Sequence, residues 1–189
     1  VKVSRANYND ATASATLTIT KQAIELTADS GSWTYDASEH TKPSYTITDG
    51  SFATGEGLTS ATFAAASAIT NVGSVANTIT GVTPKAGTQE NDYAFTYKAG
   101  TLTITNATLI GVTLTGGSWT YNGGAHSATL TGTQSSDTIE YRTSTNGGTT
   151  WSTWSSTKPS VTHVSDGPMQ VQVKVSRANY NDATASATL

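Results

Sequence analysis

Four tryptophans, three histidines and a thin scatter of acids are the residues of this chain that could carry chemistry. Trp151 and Trp154 lie in NGGTTWSTWSS, directly after a hairpin-type turn. Aromatic side chains carried on loops hold neutral ligands by offering an apolar face with a polar edge, so these two, with Tyr141 upstream, are the candidate sugar or matrix contacts. The alternative reading sends Trp151 inward as a central core tryptophan. Hydroxyls are abundant, but a nucleophilic Ser or Thr needs a base that a third group orients. His40 and His126 occupy matching places in two similar segments, and His163 stands alone and reads as surface. There is no phosphate-cradling glycine loop, zincin motif or nucleophile elbow. The densest acidic spots, Asp36 with Glu39 and Glu90 with Asp92, lack the spacing of a calcium loop. The expectation is a protein that is not an enzyme, with no metal and no cofactor.

The elements that position these residues must be built from an unusual composition. Thr (38) and Ser (22) make up about a third of the 189 residues, whereas charged residues are 12% and Cys is absent. Hydroxyls rather than Lys and Glu therefore cover the surface. Leu, Ile, Val and Phe are few, yet a net charge of -3 is too small for the compositional mark of disorder. The ten basic residues are scattered singly, without the electropositive stripe that a phosphate backbone requires, so nucleic acid is excluded as a partner. No run of about 18 apolar residues is present for membrane insertion by a helix. Without Cys there is no disulfide framework and no thiolate chemistry.

Repetition organises the chain. VKVSRANYNDATASATL at Val1 to Leu17 recurs unchanged at Val173 to Leu189, an offset of 172 residues. A weaker similarity falls at half that spacing: GSWTYDASEH at Gly31 to His40 aligns with GSWTYNGGAH at Gly117 to His126, and LTIT at Leu17 to Thr20 aligns with LTIT at Leu102 to Thr105. The reading is a window on a tandem array. Residues 1–20 are terminal strands of a preceding repeat, 21–105 a first module and 106–189 a second.

Within the modules the period is two. Ala11, Ala13, Ala15, Leu17 and Ile19 alternate with Thr and Ser, and Met169, Val171, Val173 and Val175 alternate with Gln170, Gln172, Lys174 and Ser176. This is the signature of half-buried strands, and Thr suits the outer face because its branched side chain fits the pleat. The same alternation assigns Trp33, Tyr35, Trp119, Tyr121 and Tyr93 to the core. Tyr180, like Tyr93 and Tyr8 at the start of a late strand, is expected to pack its ring inward with its hydroxyl on a backbone group. Turn signals at Asp49-Gly50, Asn122-Gly123-Gly124, Asn146-Gly147-Gly148 and Asp166-Gly167-Pro168 separate the strands. The fold class is all-β: tandem Ig-like β-sandwich modules stacked end to end.

WTYDASEH and WTYNGGAH, with TNVGSVANTIT at Thr70 to Thr80 and NDYAFTYKAGTLTIT at Asn91 to Thr105, resemble the MBG-type repeats of large Gram-positive cell-surface adhesins. The second module, through YRTSTNGGTTWS at Tyr141 to Ser152, resembles an Ig-like relative of such repeats. The resemblance covers most of the chain and departs at Ala37, where the family pattern has glycine after Asp36. It implies an extracellular, cell-surface or wall-attached stalk or fibre that projects a distal binding region. The alternative, carried by the loop aromatics Trp151 and Trp154 with Tyr141, is an adhesive module for glycans or matrix proteins.

Adjacent copies of the same repeat are the expected partners, by strand pairing of Val1 to Thr20 with a neighbouring copy. Lys98 and Lys174 lie near strands and are candidates for an internal Lys-Asn cross-link. Asn106-Ala107-Thr108 fits a glycosylation sequon but reads as a linker.

Overall fold

The computed structural model describes residues 1–189, and the chain is almost entirely β. In chain order the strands are β1 (Lys2–Val3), β2 (Ala11–Thr12), β3 (Gln22–Ala28), β4 (Gly31–Thr34), β5 (His40–Thr41), β6 (Tyr45–Asp49), β7 (Leu58–Phe63), β8 (Ala68–Ile69), β9 (Gly73–Asn77) and β10 (Ile79–Pro84). They continue as β11 (Tyr93–Lys98), β12 (Gly100–Thr105), β13 (Ala107–Thr108), β14 (Thr113–Thr115), β15 (Thr129–Thr131), β16 (Thr138–Ser144), β17 (Gln170–Ser176), β18 (Tyr180–Asn181) and β19 (Ala183–Thr188). The stretch Ala61 to Ala68, rich in Ala, ends one strand and begins another rather than forming a helix, because its β-branched flanks favour the pleat.

Two compact units form, and they cut across the repeat boundaries. The first holds residues 1–30, 42–67 and 76–101; the second holds 31–41, 68–75 and 102–189. In the first, β3 lies between β11 and β6, and β7 pairs with β10. β3 buries Ile24, Leu26 and Ala28 on one face, as a period of two requires, and these meet Ile79 and Tyr93. Phe52 closes this core with its ring centroid 4.8 Å from that of Tyr93.

β3 gives way to β4 after Asp29 and Ser30, and the fully buried Asn77 sits where β9 gives way to β10. Its amide nitrogen donates to the carbonyls of Asp29 and Lys42, both at 2.8 Å. β11 gives way to β12 at Gly100, where a Cβ would fall 2.4 Å from the Ala28 carbonyl oxygen. Only glycine fits there.

The second unit contains the sheet β4-β12-β9, the sheet β16-β17-β19 and the small pairs β5·β8, β13·β18 and β14·β15. Leu102, Ile104 and Ile69 form one of its cores, with Trp33, Tyr35 and Val75 packed against them. Val171, Val173 and Val175 on β17, with Tyr141 on β16, form the other. Pairing is parallel between β3 and β11 and between β4 and β12, with a constant register of 71 residues: Gln22 faces Tyr93 and Gly31 faces Leu102.

The duplicated segment adopts two structures. In Val173 to Leu189 it forms β17, β18 and β19, with Val173 and Val175 buried. In Val1 to Leu17 it forms a minimal hairpin of β1 and β2, and every residue is exposed. The turn is common to both: Asn7 and Asn179 each have φ 68°, and Tyr8 and Tyr180 donate their N–H groups to the carbonyls of Arg5 and Arg177. Local side-chain chemistry dictates the turn, since Asn tolerates the left-handed region. Strand length depends on a partner sheet. Ion pairs change accordingly: Lys2 reaches Asp10, whereas its counterpart Lys174 reaches Glu140.

Candidate functional site

Trp151 and Trp154 flank Arg142. The segment that carries them runs beside β16, with Ser155 and Tyr141 exchanging backbone hydrogen bonds at 2.7 and 2.9 Å. On β16 and β17, alternation sends Glu140, Arg142, Gln172 and Lys174 to the face opposite Tyr141, Val171 and Val173. There the Arg142 guanidinium carbon lies 4.9 Å from the Trp151 ring and 4.6 Å from the Trp154 ring. Its Nε donates to Gln172 Oε1 at 2.7 Å, and Lys174 Nζ, 5.0 Å from the Trp154 ring, pairs with Glu140. Cations attracted by the ring quadrupoles thus occupy the indole faces that turn toward the sheet. Tyr141, grouped with these tryptophans as a ligand contact, is only 7% exposed and belongs to the core, because β16 turns it to the opposite face. Burial pushes its hydroxyl pKa up.

The two matching histidines are parts of a repeated local device. Trp33 stacks on His40 with centroids 4.7 Å apart, and Trp119 stacks on His126 at the same distance. Asp36 Oδ1 accepts from the Ser38 N–H at 2.8 Å and from His40 Nε2 at 3.0 Å; Asn122 Oδ1 accepts from the Gly124 N–H at 2.9 Å and from His126 Nε2 at 3.1 Å. A carboxylate and an amide oxygen only accept, so Nε2 carries the proton in both modules. The Ser38 N–H, followed by His40, holds the Asp36 carboxyl below its ordinary value. Ala37 stands at φ 65° where the second module has Gly123 at φ 76°. The turn keeps its left-handed geometry without the glycine.

The two devices differ in their surroundings. Trp33 and Tyr35 pack against the Leu102 and Ile104 core, and Tyr35 meets Tyr180 edge-on at 5.5 Å. Trp119 and Tyr121, assigned by alternation to the core, are instead 43% and 61% exposed. They line an open groove of about 370 Å³ with His126, Val161, His163 and Leu189. Their pattern is that of a strand, but no neighbouring strand covers them. Alternation reports which side chains share a face and says nothing of what covers it.

Other candidates sit apart. Tyr93 is buried, donates its hydroxyl to Glu56 and accepts from the Ala53 N–H at 3.0 Å; the Glu56 carboxylate is the main reason its pKa is raised. Tyr180 is half-buried under Arg177, which forms a bidentate pair with the fully enclosed Asp137 at 2.6 and 2.8 Å. That guanidinium holds the Asp137 carboxyl down to about 2. Lys98 pairs with Glu25 and Lys174 with Glu140, and the Asn106 amide donates to Asn181 Oδ1. No three His or acidic side chains converge. The Arg142 ladder was missed by sequence reasoning, because its signal requires the register that places Arg142 and Lys174 on the outer face.

No protein family, curated protein or solved structure matches the chain.

Proposed function

We propose that the chain is a structural segment of an extracellular bacterial surface fibre or adhesin: tandem Ig-like β-sandwich modules of the MBG-resembling kind, whose work is to project a distal binding region. One observation carries this reading. Asn179, inside the duplicated segment, accepts from the Val72 N–H at 2.9 Å, donates to Asn71 at 3.0 Å, and accepts through its carbonyl from the Ala107 N–H at 3.0 Å. With Tyr35 against Tyr180, this ties residues of both sequence modules into one compact unit without a flexible linker. A 172-residue repeat would recreate this fixed junction once per recurrence, which supports a stalk in which repetition rather than chemistry supplies the function.

Concatemers of one, two and four copies of the 172-residue repeat, compared by small-angle scattering and electron microscopy, test this. The expected result is a contour length that grows in proportion to copy number with little bending. A length that saturates, or particles that collapse, would overturn the stalk.

A second reading, an adhesive module for glycans or matrix proteins, draws on the exposed Trp119 and Tyr121 in their groove rather than on Trp151, Trp154 and Tyr141. Saturable binding on a glycan and matrix-protein array, lost in a folded Trp119→Ala variant, would favour it.

A further inference from the structure

We infer that the groove beside Trp119 is the seat of a Thr-Ile-Thr strand, the copy of Thr18–Thr20 that a second copy of this repeat supplies. The inference rests on the tandem reading and specifies how one copy completes the module of another.

The first module shows the completed arrangement. β12 carries Leu102, Thr103, Ile104 and Thr105 alongside β4, with Leu102 facing Gly31 and Thr105 facing Thr34. Ile104 is fully buried among Trp33 and Tyr35, and the Tyr35 N–H donates to the Thr105 carbonyl at 2.9 Å. The second module follows the same pattern for one step. Its Gly117 matches Gly31, its Leu189 matches Leu102, and the Gly117 N–H donates to the Thr188 carbonyl at 3.2 Å. Beyond that point Trp119 and Tyr121 face open groove, and the Tyr121 N–H has no backbone partner.

A segment that matches Thr103 to Thr105 is present elsewhere in the same sequence. Val1 to Leu17 is identical to Val173 to Leu189, and it runs on as Thr18, Ile19 and Thr20. Leu17 and Ile19 are 94% and 99% exposed, so both apolar side chains of that segment lack cover. Superposed on the repeat, Ile19 takes the place that Ile104 holds in the first module. It would lie against Trp119 and Tyr121, and the Thr20 carbonyl would meet the Tyr121 N–H. An unpaired strand edge and an apolar groove are then two halves of one contact. A sugar would explain the exposed indole, but neither the unpaired Tyr121 N–H nor the agreement of Ile19 with Ile104.

The test compares the full chain with two versions extended past Leu189 by Thr-Ile-Thr or by Thr-Ser-Thr, using hydrogen exchange at single amides, with Val173 and Val175 amides as the fold reference. Exchange at Tyr121 is expected to slow by at least roughly tenfold with Thr-Ile-Thr, because opening the added strand must precede exchange, and by clearly less with Thr-Ser-Thr. The thermal midpoint should rise in the same order. Unchanged Tyr121 exchange in the Thr-Ile-Thr chain, with the Val173 and Val175 amides still protected, would overturn the inference and leave the concatemer lengths to judge the stalk. Equal protection by both extensions would also overturn it, since the groove would not be selecting the isoleucine. A glycan that still binds through Trp119 in the Thr-Ile-Thr chain would do the same.

Discussion

Asn77 donates its side-chain amide to the Asp29 carbonyl, and that bond lies where β3 hands over to β4. The second amide hydrogen goes to Lys42, so one enclosed side chain fixes two points at which the chain changes sheets. Asn77→Ala would leave the Asp29 carbonyl without a donor, whereas the Lys42 carbonyl keeps the Ser44 N–H at 2.8 Å. Each buried orphan costs about 1–3 kcal/mol, offset in part because Asn77 Oδ1 is itself unpartnered. Urea unfolding should show a loss of about 2 kcal/mol. A loss below about 0.5 kcal/mol, within the range of an ordinary surface change, would contradict this account.

Ala37 and Gly123 hold the same left-handed position in the two devices. For a residue with a Cβ that conformation costs roughly 1–2 kcal/mol, and glycine recovers it at some cost in chain entropy. Ala37→Gly is therefore expected to stabilise by roughly 0.5 kcal/mol, and Gly123→Ala to destabilise by roughly 1 kcal/mol. Opposite signs in paired denaturation curves are the decisive reading; like signs would mean that the two turns are not equivalent.

Asp137 makes stability depend on acid. Its carboxyl sits at about 2 in the folded chain against an ordinary 3.8. A depressed folded value means that the contribution is present above the ordinary value and disappears as the pH falls from 3.8 toward 2. The difference is on the order of 2 kcal/mol. In Asp137→Asn the slope of unfolding free energy between pH 4 and pH 2, taken from the same two values, should flatten. An unchanged slope would assign acid sensitivity to another group, such as Asp36.

Arg142 is expected to act through packing more than through charge. Arg142→Ala removes the cation between two indoles and also the aliphatic stem beneath it, a loss of about 1–2 kcal/mol. Added salt should change the wild-type stability little, since the guanidinium is shielded on both sides. Tryptophan fluorescence that stays unshifted in Arg142→Ala would show that the ladder is not formed in solution.

Much of this architecture can be read from the residues in order. Val171, Val173 and Val175 announce an inward face by period alone, and the Asn122-Gly123 and Asn146-Gly147 turns follow from local backbone preference. What stays hidden is the identity of neighbours. Nothing in a period of two tells β3 that its partner is β11, in parallel and 71 residues away, or tells Val1 to Leu17 that it will stand exposed while its duplicate is packed. The same ignorance put Trp119 and Tyr121 in the core by analogy with Trp33 and Tyr35. Their own side chains are equivalent, and only the strand beside them differs. Arg142 was hidden for the same reason: its tryptophans come from a segment whose pairing with β16 is a tertiary fact.

The parallel register has a mechanical meaning. A pull between Gln22, the start of β3, and Lys98, the end of β11, acts along both strands of one ladder, and a pull between Gly31 and Thr105 acts along both strands of the other. Because β3 runs parallel to β11 and β4 to β12, the pull slides each strand lengthwise past its partner. The six register pairs of the first ladder share one such load in shear, and the four of the second share the other, rather than peeling apart one at a time.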